Sequence, residues 1–554
     1  MNEAVWDIHP RKFDDVVTQI LFNRGIIKSD SEKEKIENFL NPDFKKLFDP
    51  FLIDGVKEAV LRIVKAKEAG EKIGIFADYD ADGIPGAALL ARALKKIGIE
   101  FLVYIPTREN GYGLSRAGID FLISKKCSLI ITIDLGVRSI IEAKYCKGKI
   151  DLIITDHHTL GPELPKADVL INPKIGSYPD KDLCGCGVVF KLMSALGKKF
   201  KEIDESFLKW NLDLVAISTI CDVVPLTGEN RILANYGLIV LQKTKNLGLK
   251  SLYEKAKIDS SRIGSYTVAF QIGPRVNAPG RMDHATKSYE LLISEDKKEV
   301  EELAEVLNQK NIDRQEAMDK IETEVVAKII KNNLAENNII IVSGKWSKGI
   351  VGPVASRIVE KFNRPTILFS DENDSYCGSA RSLGEINILE LLKAVDRLIK
   401  KYGGHKGAAG ITVLKSNFTE FKEELIEIAN KTIDKEALAK KISIEMGLLE
   451  NDLKLDLYKS IKKLEPFGMG NSKPLFIIEN AEIITQKIVG NDQKHLSLKI
   501  KTGKKETKAI YFNYTKEKLI KNHTIYDIVF SVDLDEWNDQ QNLSFNIVDI
   551  RASN

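Results

Sequence analysis

Three aspartates at alternate positions, Asp78, Asp80 and Asp82, follow the apolar run Ile73-Gly-Ile-Phe-Ala77 and lead into Gly83 and a helical pattern of small residues. Carboxylates that close repel one another, and a bound divalent cation is the usual way to hold them together at neutral pH. A turn that caps the next helix would also use aspartates here. The order D-x-D-x-D-G also opens an EF-hand loop, whose twelfth position is a bidentate Glu. That position is Leu89, and a strand-like run precedes the loop instead of a helix, so the EF-hand is excluded.

Other acidic residues stand in the same kind of place. Asp134 ends Ile131-Thr-Ile-Asp, Asp156 ends Ile153-Ile-Thr-Asp, and Asp222 follows an apolar stretch that begins near Leu212. The chain has seven histidines, and two of them, His157 and His158, come directly after Asp156. Mostly carboxylate ligands with one or two imidazoles suit Mn²⁺ or Mg²⁺ better than Zn²⁺. Two such ions sharing a carboxylate can clamp a phosphodiester and activate a water.

The elements that must position these residues read as alternating strands and helices over about 50–245. Strands are expected at 73–77, 101–105, 129–133, 152–155 and 169–171, with helical patterns such as 86–97 and 138–145 between them. Short apolar strands alternating with helices imply a buried parallel sheet, whose ligands gather at the carboxyl ends of the strands. Four acidic segments converge on that edge.

Composition leaves the substrate open. Lys+Arg number 82 and Asp+Glu 79 in 554 residues, a net charge of +3, so a nucleic-acid surface must be a local patch. The length suggests three or four domains. There is no run of about 20 apolar residues of the kind that spans a membrane. The opening residues lack a basic stretch followed by an apolar one, so no signal peptide is expected. The six cysteines form no C-x-x-C pair, which fits a reducing cytoplasm.

Asp78-Tyr-Asp-Ala-Asp-Gly83, Asp134, Asp156-His-His158 and Asp222 together resemble the four motifs of the DHH phosphoesterase superfamily, in order and rough spacing. Arg108-Glu-Asn-Gly-Tyr-Gly-Leu-Ser115, Leu183-Cys-Gly-Cys-Gly187, Asp222-Val-Val-Pro-Leu226 and Gly273-Pro-Arg-Val-Asn-Ala-Pro-Gly-Arg281 are similar to its bacterial single-stranded-DNA exonucleases. The resemblance implies Asp78, Asp80, Asp134, His157 and Asp222 as ligands of two divalent cations, Mn²⁺ or Mg²⁺, with Asp80 or Asp134 bridging. It implies Asp134, His158 and Asp156 as catalytic residues, with Asp82 orienting a ligand. Some relatives carry a His where this chain has Phe76, which would leave one cation with fewer protein ligands.

The same resemblance implies an α/β architecture. A parallel-sheet DHH domain (51–245) is joined by a helical connector (246–335) to a smaller α/β DHHA1 domain (336–435). The residue pattern itself reads as a mostly helical cap over 1–50 and, in the connector, sets Val300, Leu303, Val306, Leu307, Ile321, Val325, Ile329 and Leu334 mostly at helical spacing. A C-terminal β-barrel of the OB-fold type (445–554) follows, where strand-like runs at 496–500 and 526–532 and the basic residues Lys499, Lys501, Lys504 and Lys505 could follow a single strand. Expected substrate contacts are Arg108, then Arg275 and Arg281 in a Gly/Pro-rich loop, then Arg381 and His405 among small residues that let backbone approach a phosphate. Gly344-Lys-Trp-Ser-Lys-Gly-Ile-Val-Gly352 reads as a glycine-rich turn opening a helix. Ser347 stands there where relatives often have His.

The expectation is a cytoplasmic, monomeric exonuclease that degrades single-stranded DNA from the 5′ end in repair and recombination, and that meets a single-strand-binding protein and a helicase. The polarity and the DNA preference come from the resemblance alone. Two other readings stand beside it. One is a phosphodiesterase of short oligonucleotides or cyclic dinucleotides, and the other a nucleic-acid scaffold without catalysis.

Overall fold

The computed structural model describes residues 4–107, 113–282, 284–490, 493–514, 520–537 and 540–553. It divides into two compact units. The larger holds Trp6–Asn277, Ala285–Ala304 and Ser443–Asn554; the smaller holds Ala278–His284, Glu305–Ile442 and the first five residues.

The larger unit is built on a five-stranded, wholly parallel sheet. Its strands are β1 (Lys72–Ala77), β2 (Phe101–Tyr104), β3 (Cys127–Ile133), β4 (Asp151–Thr155) and β5 (Val169–Ile171), in the order β2-β1-β3-β4-β5. Alternate side chains enter two different cores. Ile73, Ile75, Leu129, Ile131, Ile133 and Ile153 pack into one; Phe76, Ile130, Leu152 and Ile154 pack into the other. Both faces are covered, which is why the strands read as unbroken apolar runs.

Helix α1 (Gly83–Lys96) packs on the first face, where a Cβ at Gly86 would lie 2.7 Å from Ile133 Cγ2, closer than a side chain permits. Three more helices in this layer are α2 (Gly185–Leu196), α3 (Leu212–Cys221) and α4 (Gly228–Gln242). The 212–221 run is therefore a helix. All residues from Leu212 to Ile220 are buried, so no helical stripe is left in the sequence to announce it. The Gly/Pro-rich 273–281 segment is likewise a helix, α5 (Gly273–Met282), with Pro279 inside it.

A 35-residue helix, α6 (Lys297–Lys331), follows, as the periodic apolar pattern predicts. In the smaller unit β6 (Ile340–Gly344) lies parallel to β7 (Thr366–Asp371), which is joined by the antiparallel β8 (Ser375–Arg381). A hairpin, β9 (Lys401–His405) and β10 (Ala408–Leu414), completes this sheet, and α7 (Val351–Phe362) follows β6.

The C-terminal strands form a closed barrel. β11 (Phe476–Val489), β12 (His495–Thr502), β13 (Lys505–Tyr511), β14 (Ile525–Trp537) and β15 (Gln540–Ala552) pair in the order β11-β12-β13-β15-β14, and β14 returns to β11. Its core is shared with residues far away in sequence. Val17, Ile20, Leu21, Ile27 and Phe39 from the first forty residues pack with Phe476, Phe530 and Phe545.

Candidate active site

The register of the sheet explains why the acidic residues meet. Ala77, Ile133, Thr155 and Ile171 are direct neighbours across β1, β3, β4 and β5. The ladder then runs one step further. Asp78 N donates to Ile133 O (3.1 Å), Asp134 N to Thr155 O (3.0 Å), and Asp156 N to Ile171 O (3.0 Å). Asp78, Asp134, Asp156 and Asn172 are thus the first residues past four adjacent strand ends. Asp134 takes φ +62° there, a conformation that Asp tolerates better than most residues. A side chain at Gly185 would strike it, since a Cβ there lies 2.6 Å from Asp134 Cβ.

Donor atoms cluster in three overlapping groups: Asp78, Asp80 and Asp134; Asp134, His157 and His158; Asp82, His157 and Asp222. Within each, the candidate ligand atoms lie within 4.8 Å of one another. His157 Nε2 is 3.1 Å from Asp134 Oδ1, 3.5 Å from Asp222 Oδ2 and 3.6 Å from Asp82 Oδ2. Asp134 Oδ1 and His157 Nε2 are buried, and among the described residues neither makes a hydrogen bond. Buried polar atoms are rarely left so, and a cation between them would satisfy both. These hard oxygen donors with one imidazole fit Mn²⁺ or Mg²⁺.

Electrostatics point the same way. Burial, then the charges of Asp82, Asp80, Asp78 and Asp222, push the Asp134 carboxyl well above its ordinary range. Burial and the charges of Asp82 and Asp80 raise Asp222 to about 9. Burial and Asp80 raise Asp82 to about 6, against the opposing effect of two backbone N–H groups. Burial and the neighbouring His158 lower His157 to about 3, so it is a neutral imidazole with a lone pair to give.

The remaining residues hold this set in place. Asp80 Oδ1 accepts from Asp82 N (2.9 Å) and Gly83 N (3.1 Å). Asp82 is fully buried and accepts from Gly185 N (2.5 Å) and Cys186 N (2.8 Å), the positive end of α2. Asp156 is equally buried. Its Oδ1 takes the backbone N–H of His157 and His158 and meets His158 Nδ1 at 2.8 Å; its Oδ2 accepts from Val137 N. Burial alone would lower the His158 pKa, but the bond to Asp156 prevails and raises it.

Asn172 and Lys174 belong to this site and carry no signal in the sequence reading. Asn172 Nδ2 donates to His158 O (3.1 Å), its Oδ1 accepts from Lys174 N (2.9 Å), and Lys174 Nζ donates to His157 O. The fifth strand end, with its Asn-Pro-Lys turn, could have pointed to them. Asp222 reaches the site as the residue that ends helix α3. Phe76 is fully buried against Tyr104, ring centres 4.9 Å apart, and brings no polar atom.

Of the expected substrate contacts, Arg108 lies outside the described residues. Arg275 is on α5 in the larger unit and donates to Gln271 O (2.7 Å). Arg281, Arg381 and His405 belong to the smaller unit. Arg281 donates to Gly349 O (3.3 Å), and Arg381 donates to Ser379 Oγ (2.8 Å) and Ala380 O (2.9 Å). A Cβ at Gly352, in the first turn of α7, would come within 3.0 Å of Arg381 Nη2. Arg381 and His405 are both registered with Ala408 across β8, β10 and β9, so they share a face. Of the barrel lysines, Lys499 is paired with Glu506 and Lys505 donates to Leu453 O (2.9 Å).

Known proteins share this arrangement. Residues 72–219 match the DHH family, N-terminal domain; 324–431 match the DHHA1 domain; 444–549 match the RecJ OB domain. The single-stranded-DNA-specific exonuclease RecJ of Bacillus subtilis (strain 168) is 35% identical over 546 residues, covering 97% of this chain and 68% of that protein. The Haemophilus influenzae protein of the same name is 34% identical over 498 residues, 86% of each chain. The crystal structure of RecJ from Thermus thermophilus in complex with Mn²⁺ superposes with a TM-score of 0.83 at 26% identity, covering 99% of this chain and 80% of that one. A Mg²⁺ complex of the same protein gives 0.79 at 25% identity, covering 99% and 79%. With the carboxylate cluster at the sheet edge and all three domain types in order, the chain belongs to the RecJ family of single-stranded-DNA-specific exonucleases.

Proposed function

We propose that this chain is a metal-dependent exonuclease that hydrolyses single-stranded DNA in the 5′→3′ direction. The observation that carries the reading is the convergence of Asp78, Asp80, Asp134, Asp222 and His157 on one sheet edge, with buried donor atoms that a cation would satisfy. Two divalent cations, Mn²⁺ or Mg²⁺ as in the Thermus protein, would supply charge to the scissile phosphate and ease the deprotonation of a water.

The chain's own residues have distinct parts. Asp134 is the carboxylate common to two of the donor groups and would be the ligand shared by the two cations. His157, held neutral, serves as a ligand. Asp156 orients His158 and raises its pKa, which favours His158 as a donor to the scissile phosphate. Asp82 fixes the turn of Asp78 and Asp80 onto the start of α2. Lys174 lies close enough to lower the Asp222 pKa electrostatically, and it steadies the loop of His157. Arg381, Arg281 and His405, with Arg108 and Arg275, receive the strand's phosphates. Among the described residues no carboxylate pairs with Arg381, whose pKa is lowered by burial.

A closed barrel suits a strand better than a dinucleotide, which needs no such module. No described helix is long and apolar enough to cross a membrane. The reading extends to a monomer that works in the cytoplasm in repair and recombination, beside a single-strand-binding protein and a helicase.

A 5′-labelled single strand with Mn²⁺ tests the function. Release of the labelled 5′-terminal nucleotide as the first product, abolished in Asp134→Ala, is expected. Cleavage of dinucleotides without release from strands would favour the small-substrate enzyme, and binding without turnover the scaffold.

A further inference from the structure

We propose that the 465–471 loop, which leads into the barrel, is a positioning element of the metal centre: it holds the Asp222 segment in place. The inference rests on Asp222 being a cation ligand.

Asp222 differs from the other carboxylates because no strand carries it. It ends α3, and the next residue, Val223, has φ +58° and is 57% exposed. A β-branched residue in the left-handed region is strained and persists only where its surroundings impose it. The imposing contacts come three residues later. Leu226, 1% exposed, donates its N–H to Met469 O at 2.8 Å. A Cβ at Gly468 would lie 2.7 Å from Leu226 Cδ1. Gly470, at φ +69°, sits where a Cβ would be 3.2 Å from Pro225 Cβ. The loop presses on the Pro225-Leu226 turn as closely as glycine allows.

The loop is itself fixed. Asn471, fully buried, donates to Leu464 O and Pro466 O, both at 2.8 Å, and accepts from Arg24. Arg231, on the helix that starts just after Leu226, closes the clamp. It is 2% exposed and donates to Phe39 O (2.7 Å), Leu464 O (2.9 Å), Glu465 O (2.9 Å) and Lys463 O (3.3 Å), and it stacks 3.8 Å from the centre of the Phe39 ring. Among the described residues it meets no carboxylate. A buried guanidinium spent wholly on carbonyls is an expensive device, and here it ties one piece of backbone to another. The segment from Asp222 to Arg231 is therefore fastened through two points to the loop and its approach.

The test uses full-length enzyme and the dinucleotide pTpT, which offers one phosphodiester and nothing for a strand-binding barrel. Gly468→Val and the milder Gly470→Ala are compared with wild type, with Mn²⁺ binding read from the spectroscopic signal of free Mn²⁺. The expected result is Mn²⁺ affinity weaker by about 10–100-fold, the range seen when the support of a ligand is removed. Turnover of pTpT should recover at high Mn²⁺. Adding Leu226→Ala to Gly468→Val should restore much of the affinity by making room for the new side chain. If folded variants bind Mn²⁺ as wild type does and lose only long-strand degradation, the loop serves strand binding and the proposal is overturned. If Asp222→Ala itself leaves Mn²⁺ affinity unchanged, the underlying ligand reading fails instead.

Discussion

The carboxyl edge of the catalytic sheet and the face of the smaller unit's sheet that carries Arg381 and His405 solve opposite problems. At the first, six aspartates gather around two histidines, and burial together with the charges of Asp82 and Asp80 drives Asp134 and Asp222 up. At the second, a partly buried guanidinium meets, among the described residues, a hydroxyl and a carbonyl, amid glycines that keep space open. Neither region is balanced from within. The first needs cations, and the second is suited to an anion. Taken each by itself, a cation-holding edge and an anion-accepting face both suit a phosphodiester, the first through its scissile group and the second through its other phosphates.

Separating the two roles should give effects of different size and kind. Asp134→Ala removes the ligand common to two donor groups. Turnover should fall by at least about 10³-fold, because several kcal/mol of charge stabilisation in the transition state go with it. Single-turnover assays at saturating strand would show this, while strand affinity in a metal-free binding assay stays near wild type. Asp156→Asn keeps the shape but weakens the hold on His158, and a drop of about 10–100-fold in kcat/KM is expected. Arg381→Lys keeps the charge and loses the planar fork. The expected change is an increase in KM of about tenfold, near 1.4 kcal/mol, with Mn²⁺ affinity untouched. An Arg381→Lys variant that altered Mn²⁺ binding would erase the distinction between the regions.

The smallest effect is on stability. Asp82 and Asp222 have folded pKa values of about 6 and about 9, both above the unfolded carboxyl value. Groups raised in this way favour the folded state at low pH, and that contribution is lost as pH rises through the folded values. The melting temperature of the metal-free protein should therefore fall from about pH 4 to about pH 9, with the Asp82 part lost by about pH 6, and Mn²⁺ should offset the fall. A metal-free melting temperature that rises over this range would contradict the crowding of charge at the sheet edge.

The sheet and its edge were legible because fully buried parallel strands are plain apolar runs, each closed here by Asp78, Asp134 or Asp156. The long helix was legible from its stripe of apolar residues. The helix before Asp222 was hidden, since an element buried on every side loses the period that distinguishes helix from strand. Pro274 and Pro279 made 273–281 look like a loop, although the helix accommodates both. Asn172, Lys174 and the contact of Leu226 with Met469 depend on packing between distant segments, which no local pattern reports. The first forty residues likewise look self-contained in sequence but share their core with the barrel.

The most direct test of the central claim is the number of Mn²⁺ ions bound at saturation, measured on metal-free wild type and on Asp134→Ala at one pH. Two ions per chain in the wild type, with a magnetic signature of neighbouring ions that disappears in Asp134→Ala, are predicted. Equal stoichiometry and affinity in both proteins would contradict an active site built on cations shared at this edge.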